Sequence, residues 1–451
     1  MPTLTPLHET YCRWDLTPPN QADIFEGLAQ LVTVNLLGIH DVVQLIHREM
    51  LLKNLGFNQQ RSQWLVNNAL AQKTFRQGYR IIQTSGQQLI APALRLVNQH
   101  LPNLKHKPLS PTQHALVGAL NGVMGNFLIQ QQNPLALPMI FYDHYGQPQH
   151  GELAGRVIIM VHGLCMSHLS WTQGNFGGIG EKLLAQRDCN LMLYLNYNSG
   201  RRISANGKSL SLLLEDLILR HPRISSIDLI GHSMGGLVCR SALFYGKQDL
   251  MQWMNKVKNI VCIGSPHQGA VLERLGYMLQ DRLGRLPMLN RLGQLTTIRS
   301  DGILDLRFGS VRDDDWEYAS IRTGGKEDSR KPAPIPSKVN CFLIAGSIAM
   351  YPGQSKALSL IGDYLVSIPS ALGEHPNPKL NLNIPEANKA IFYGLNHMEL
   401  QCNSAVAEQI ARWLYPDPLS TANCTIEETA HNAHQHFQHQ DMYDLAGIVE
   451  T

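Results

Sequence analysis

Six short runs constrain this chain more than any other feature. They are VIIMVHG (157–163), LMLYLNY (191–197), IDLIGHS (227–233), NIVCIGSP (259–266), VNCFLIAGS (339–347) and AIFYGLNH (390–397). Each is nearly unbroken in β-branched and aliphatic residues and stops at a turn. A strand with one wet face would alternate apolar and polar residues. An unbroken run needs cover on both faces, as strands of a parallel sheet have. Helical stretches follow the second and third runs, GKSLSLLLEDLILRH (207–221) and GGLVCRSALFYG (235–246). Strands alternating with helices specify an α/β fold with a mostly parallel sheet.

Composition agrees and removes other classes. The chain has 451 residues, 44% hydrophobic and 16% charged, which excludes a disordered polymer. The formal net charge is +3 and no basic stripe stands out, so nucleic acid is not an expected partner. The most apolar stretch, Leu28 to Ile46, is interrupted by Gln30, Asn35, His40, Asp41 and Gln44 and falls short of a spanning helix. The first residues lack a basic segment followed by an apolar one, so the expected location is cytoplasmic. The 8 cysteines form no CxxC pair and read as small buried hydrophobes in a reducing compartment.

Around the sheet the chain divides into an N-terminal tail (1–20), a helical region (21–150), an α/β domain (151–415) with a lid-like insertion at about 267–338, and a polar, His-rich tail (416–451). In the helical region Phe25, Ala29, Val32, Leu36, Ile39, Val43, Ile46 and Met50 recur at spacings of four and three, one stripe of a helix. Phe75, Tyr79, Ile82, Gly86, Leu89, Ala93 and Leu96 form a second stripe. The pair suggests a hairpin packed on the core, with a membrane-surface or dimer contact as the alternative. Residues 103–112 read as a linker, and a further helix is expected over 113–130. Loops as long as the insertion are lids, binding elements or disordered segments.

Gly231-His232-Ser233-Met234-Gly235 carries the chemistry. It fits GxSxG, and its position between a strand run and a helical run is what makes it informative. Small residues on both sides permit a tight turn that lifts the hydroxyl of Ser233 above the sheet edge. A serine attacking an acyl carbon needs donors for the developing oxyanion. The N–H of Met234 is one. The other is expected in the loop after the first run, from Leu164, with Cys165 as the fallback. The serine also needs a base and an orienting carboxylate, which on such a sheet follow in the order serine, acid, histidine. His397 ends the last run and is the expected base, ahead of His267 and His375. Asp363 is the one aspartate between the fifth run and His397, with Glu374 and Glu386 the other carboxylates there. His162 and His232 read as structural. Arg201-Arg202 reads as a solvated loop, or as a holder of a phosphate head group. The tail histidines 431, 434, 436 and 439 fit no single face well enough to specify a metal site.

At VHGL (161–164), GHSMGG (231–236), CIGSPHQGA (262–270), GDYLVSIPSALG (362–373) and NHMEL (396–400) the chain resembles the lipase-type branch of the α/β-hydrolases. That branch includes bacterial triacylglycerol lipases and lecithin–cholesterol acyltransferase-like and inositol-deacylase-like proteins. Asp-x-Leu-Val followed by Ser-x-Leu-Gly is the most specific element, and it puts Asp363 in the acid's place. The resemblance implies an α/β-hydrolase fold over 151–415, a Ser233–Asp363–His397 triad and an oxyanion hole of Leu164 and Met234. Where such lipases usually follow the acid with glycine, this chain has Tyr364. No ligand set for the calcium ion of some members is matched. The expected activity is hydrolysis of carboxylic esters with an apolar acyl chain, with no cofactor and no metal. The partners are a lipid or other ester and, through the helices or the insertion, a membrane surface. Acyl transfer to an alcohol by the same triad, and a non-catalytic fold that binds a lipid or a partner, are the alternatives.

Overall fold

The computed structural model describes residues 17–33, 107–172, 178–184, 191–270, 300–317, 328, 330–354 and 361–416. The second helical stripe (75–96), the segment 271–299 and the His-rich tail lie outside the described residues.

Every one of the six runs becomes a strand. They are β2 (Gly155–Val161), β3 (Leu191–Asn196), β4 (Ile224–His232), β5 (Val257–Ile263), β6 (Asn340–Ser347) and β7 (Lys389–Tyr393). An earlier three-residue strand, β1 (Ile140–Tyr142), joins them, so the sheet begins upstream of residue 151. The order is β1-β3-β2-β4-β5-β6-β7, parallel except for β1 against β3. From the edge strand β1 the chain enters the sheet at β2, steps back to fill the place between them with β3, then crosses to place β4 on β2's other side. Winding therefore reverses between β2 and β4, and in open α/β sheets such a crevice at the carboxyl ends of the strands is where ligands bind.

Side-chain parity sorts the core into two layers. Val157, Ile159 and Val161 of β2 face α4 (Ile203–Arg220) and α5 (Met234–Gln248), packing with Leu210, Leu214, Leu237 and Val238. Ile158 and Met160 face the other way, toward α3 (Ile179–Leu184) and α7 (Ser404–Leu414), with Leu183, Val406 and Ile410. β2 is thus buried on both faces, which is why its sequence does not alternate. The polar exception in the centre is Asp228 of β4. It is buried and bridges three strands, accepting from Arg156 Nε at 2.5 Å and Asn259 Nδ2 at 2.6 Å.

Ahead of the sheet lie α1 (Gln21–Thr33) and α2 (Pro111–Gln130). Helix α2 starts where local chemistry dictates. Ser110 caps it, Gln113 closes a capping box, and Pro111 occupies the first turn, where no N–H is missed. Its middle, Leu116 to Gly125, is buried. The described part of the insertion, α6 (Asp301–Asp305) and the residues after it, docks beside β3. Asp305 accepts from Arg202 Nη1 at 2.6 Å and from the N–H of Ile203 at 2.8 Å, and Asp301 pairs with Arg202 at 3.1 Å. Burial raises the Asp305 carboxyl to about 7 against the pull of Arg202. Arg202 is therefore engaged within the protein and Arg201 is buried, so neither the solvated-loop nor the phosphate reading of this pair describes them. Among the described residues no helix is long and apolar enough to cross a membrane.

Candidate active site

The turn between β4 and α5 is held open by what its glycines leave out. Ser233 takes φ 56° and ψ −125°, a strained backbone for a side-chain-bearing residue. A Cβ on Gly231 would lie 2.4 Å from Gly236 N, and one on Gly235 would lie 2.1 Å from Val161 O. No side chain fits at either place, so the turn closes tightly against the end of β2. The N–H of Ser233 donates to Ile263 O at 2.8 Å and ties the turn to β5. Met234 opens α5, and its N–H belongs to the first helical turn, which has no intrahelical acceptor.

The loop after β2 reaches over this turn. A Cβ on Gly163 would stand 3.0 Å from Ser233 Cβ, so the two segments meet there. His162 Nδ1 donates to Gly163 O at 2.8 Å, and Tyr197 Oη donates to His162 O at 2.8 Å. The His162 ring stacks on Tyr197, and burial lowers its pKa to about 4, so it is a neutral structural group as expected. Of the two candidate loop donors, the N–H of Cys165 is already bonded to Ser199 Oγ at 3.1 Å. Leu164 N–H has no partner among the described residues, which favours Leu164 over the fallback.

Asp363 and His397 come together from different strands. Asp363 sits in the loop after β6 and is fully buried. His397 follows β7 and is 3% exposed. His397 Nδ1 lies 2.7 Å from Asp363 Oδ2, and His397 N donates to Asp363 O at 2.9 Å. The other carboxylate oxygen accepts from the N–H groups of Leu365 at 3.0 Å and Val366 at 2.8 Å. Tyr364, where such lipases usually carry glycine, adopts φ 85° and is 48% exposed. The left-handed turn survives without glycine because the aspartate anchors the residues beyond it.

His232 links the serine turn to this pair. Its Nε2 donates to His397 O at 3.0 Å, with ring centroids 4.8 Å apart. Gly264 backs the pair: a Cβ there would approach Asp363 Oδ2 at 3.2 Å and His397 Cε1 at 3.3 Å. The Ser233 hydroxyl has no hydrogen-bond partner among the described residues, and in unliganded sites such bonds are often long and tighten only with substrate. The competing histidines are engaged elsewhere. His267 is buried against Arg240 at 3.1 Å, and His375 lies 3.4 Å from Asp328. Sequence reasoning did not single out Ser199 or Gly264, because a lone serine after a strand and a glycine in a turn carry no pattern of their own. Among the described residues no group of three or more His, Cys, Asp or Glu is placed to hold a metal ion.

Residues 152–375 match the family model described as the PGAP1-like alpha/beta domain. No curated protein matches the sequence. Among solved structures, the chain is similar to a lipase of Bacillus licheniformis in its mature form, at 19% identity over 61% of this chain and 97% of that one, with a TM-score of 0.39. It is similar to the naproxen esterase of Bacillus subtilis at 13% identity, covering 59% and 86% with a TM-score of 0.33. An esterase of Pyrococcus furiosus gives 14%, 58%, 80% and 0.34 on the same measures. The family match, on a sheet wound in this order around a strained serine turn, gives the segment 152–375 an α/β-hydrolase fold similar to that of the PGAP1-like domain.

Proposed function

We propose that the protein is a serine esterase acting on carboxylic esters with an apolar acyl chain. The observation that carries this reading is the buried Asp363–His397 pair, 2.7 Å apart and joined through His232 to the strained turn that presents Ser233. Ser233 Oγ attacks the ester carbonyl, and His397 Nε2 takes its proton. Asp363 holds the Nδ1–H tautomer and stabilises the imidazolium that forms. The N–H groups of Leu164 and Met234 donate to the tetrahedral oxyanion. Collapse expels the alcohol, which takes the proton from His397. Water, activated by the same imidazole, then attacks the acyl-enzyme and returns Ser233.

The test is hydrolysis of p-nitrophenyl esters of increasing chain length by the wild type beside Ser233→Ala, with fluorophosphonate labelling of both. Activity and labelling that vanish in the variant support the reading, and the preferred chain length sizes the pocket. A wild type that neither turns over nor labels, with and without detergent, overturns it in favour of a non-catalytic fold. Turnover only when an alcohol acceptor is added moves the reading to acyl transfer.

A further inference from the structure

We infer that Ser199, backed by helix α2, is a positioning residue for the oxyanion loop, so that chain outside the family-matched segment takes part in the site. The inference rests on the reading of Ser233 as nucleophile.

The loop from His162 to Met166 has two candidate donors, the N–H groups of Leu164 and Cys165. Ser199, buried after β3, takes the second of these at 3.1 Å. Cys165 is held at φ 59°, in the left-handed region that favours glycine. Such a conformation persists where surrounding contacts over-determine it. Those contacts come from α2. Cys165 Sγ donates to Ala119 O at 3.7 Å. A Cβ on Gly122 would lie 2.2 Å from Cys165 Sγ and 2.7 Å from Cys165 N. One on Gly118 would lie 2.5 Å from Met166 O. The helix backbone therefore lies directly on the loop.

The same helix fixes Ser199. Met124 breaks the helical backbone at φ −132°, and nearby carbonyls take side-chain donors instead. Gly125 O accepts from Asn198 Nδ2 at 3.1 Å, and Gly122 O accepts from Ser300 Oγ at 2.6 Å. Asn198 Oδ1 in turn accepts from Gly200 N at 3.1 Å, which pins both neighbours of Ser199. With Cys165 N–H engaged, Leu164 N–H remains as the loop's candidate oxyanion donor, to act with Met234 N–H. Without the Ser199 hydroxyl, Cys165 N–H loses its acceptor, the loop is free to rotate, and the two oxyanion donors lose their common focus.

The experiment uses the full chain and compares wild type, Ser199→Ala, Ser199→Thr and Gly122→Ala. Gly27→Ala is the control, since its Cβ would strike Leu135, 2.4 Å away, and no part of the loop. Measured are kcat and KM on a short p-nitrophenyl ester, the rate of fluorophosphonate labelling, whose phosphonyl oxygen occupies the oxyanion position, and the thermal midpoint. Ser199→Ala is expected to lower kcat and labelling together by about 10- to 100-fold, with KM nearly unchanged. Ser199→Thr, which keeps the acceptor oxygen, is expected to recover most of the loss. Gly122→Ala is expected to reproduce the loss, and Gly27→Ala to move only the thermal midpoint. A folded Ser199→Ala or Gly122→Ala that labels and turns over at the wild-type rate overturns the inference and leaves the triad standing. A wild type that does not label overturns the triad reading and this inference with it.

Discussion

Asp363 divides its oxygens between two tasks, and the division makes a sharp substitution available. Oδ1 accepts the N–H groups of Leu365 and Val366 and holds the loop, while Oδ2 faces His397 Nδ1. In Asp363→Asn the amide oxygen can keep the two backbone bonds. The amide NH2 then points at Nδ1, which must become an acceptor, so the ring proton moves to Nε2, where the serine proton has to go. The variant is expected to fold with nearly the wild-type thermal midpoint and to lose about 10³- to 10⁴-fold in kcat. A loss below tenfold in steady-state assays would remove Asp363 from the triad. At this scale Ser233, Asp363 and His397 could be picked out as candidates because each ends or follows a strand run, and carboxylates in the right interval are few. Ser199 was not legible. Its role depends on one hydrogen bond to a residue 34 positions earlier, which no local pattern encodes.

At the scale of elements, the join between β2 and α5 sets how close the oxyanion loop and the serine can come. Gly235 touches Val161 O and His162 O, which a Cβ would approach to 2.1 and 2.7 Å. Both are backbone atoms at the end of a central strand and cannot swing aside as a side chain would. Gly235→Ala is therefore expected to cost about 1–3 kcal/mol of stability, read as a lower urea midpoint, and to reduce turnover beyond what the unfolded fraction explains. Wild-type values of both would mean that the helix shifts freely, contrary to its packing. The strands were readable because burial on both faces removes alternation, and the α4 and α5 helices because a helical stretch follows each of the two strand runs before them. β1 escaped because three residues give no period, and its pairing with β3 is antiparallel. The start of α2 was read two residues late, at 113, because Pro111 was counted with the linker and not as a first-turn residue, and its glycine face has meaning only once the loop it covers is known.

Across the whole molecule, burial of ionisable groups on both sides of the sheet ties stability to pH. His114 and His162 are each lowered by burial from 6.5 to about 4. His168 and His267 are lowered well below 6.5 for the same leading cause. Between pH 6.5 and 4 the unfolded chain binds protons at these positions that the folded chain refuses, so stability falls on acidification. A histidine at about 4 rather than 6.5 corresponds to on the order of 3 kcal/mol per group. Asp305 acts in the opposite sense. Its carboxyl stands at about 7 when folded against 3.8 unfolded, so between those values the folded chain holds the extra proton and gains stability as pH falls. These histidines, with His221 lowered by burial in the same sense, oppose the raised carboxyls of Asp305 and Asp228, and the net expectation is a urea midpoint that drops from pH 7 to pH 4. The sequence shows 19 histidines but not which of them tertiary contacts enclose, so this dependence was not legible there. The separating measurement is the same titration on His162→Gln and Asp305→Asn. The first variant is expected to flatten the acid limb. The second is expected to steepen it, because the opposing carboxyl is gone. A midpoint that is flat from pH 7 to pH 4 in the wild type would mean that these imidazoles reach water in the folded protein.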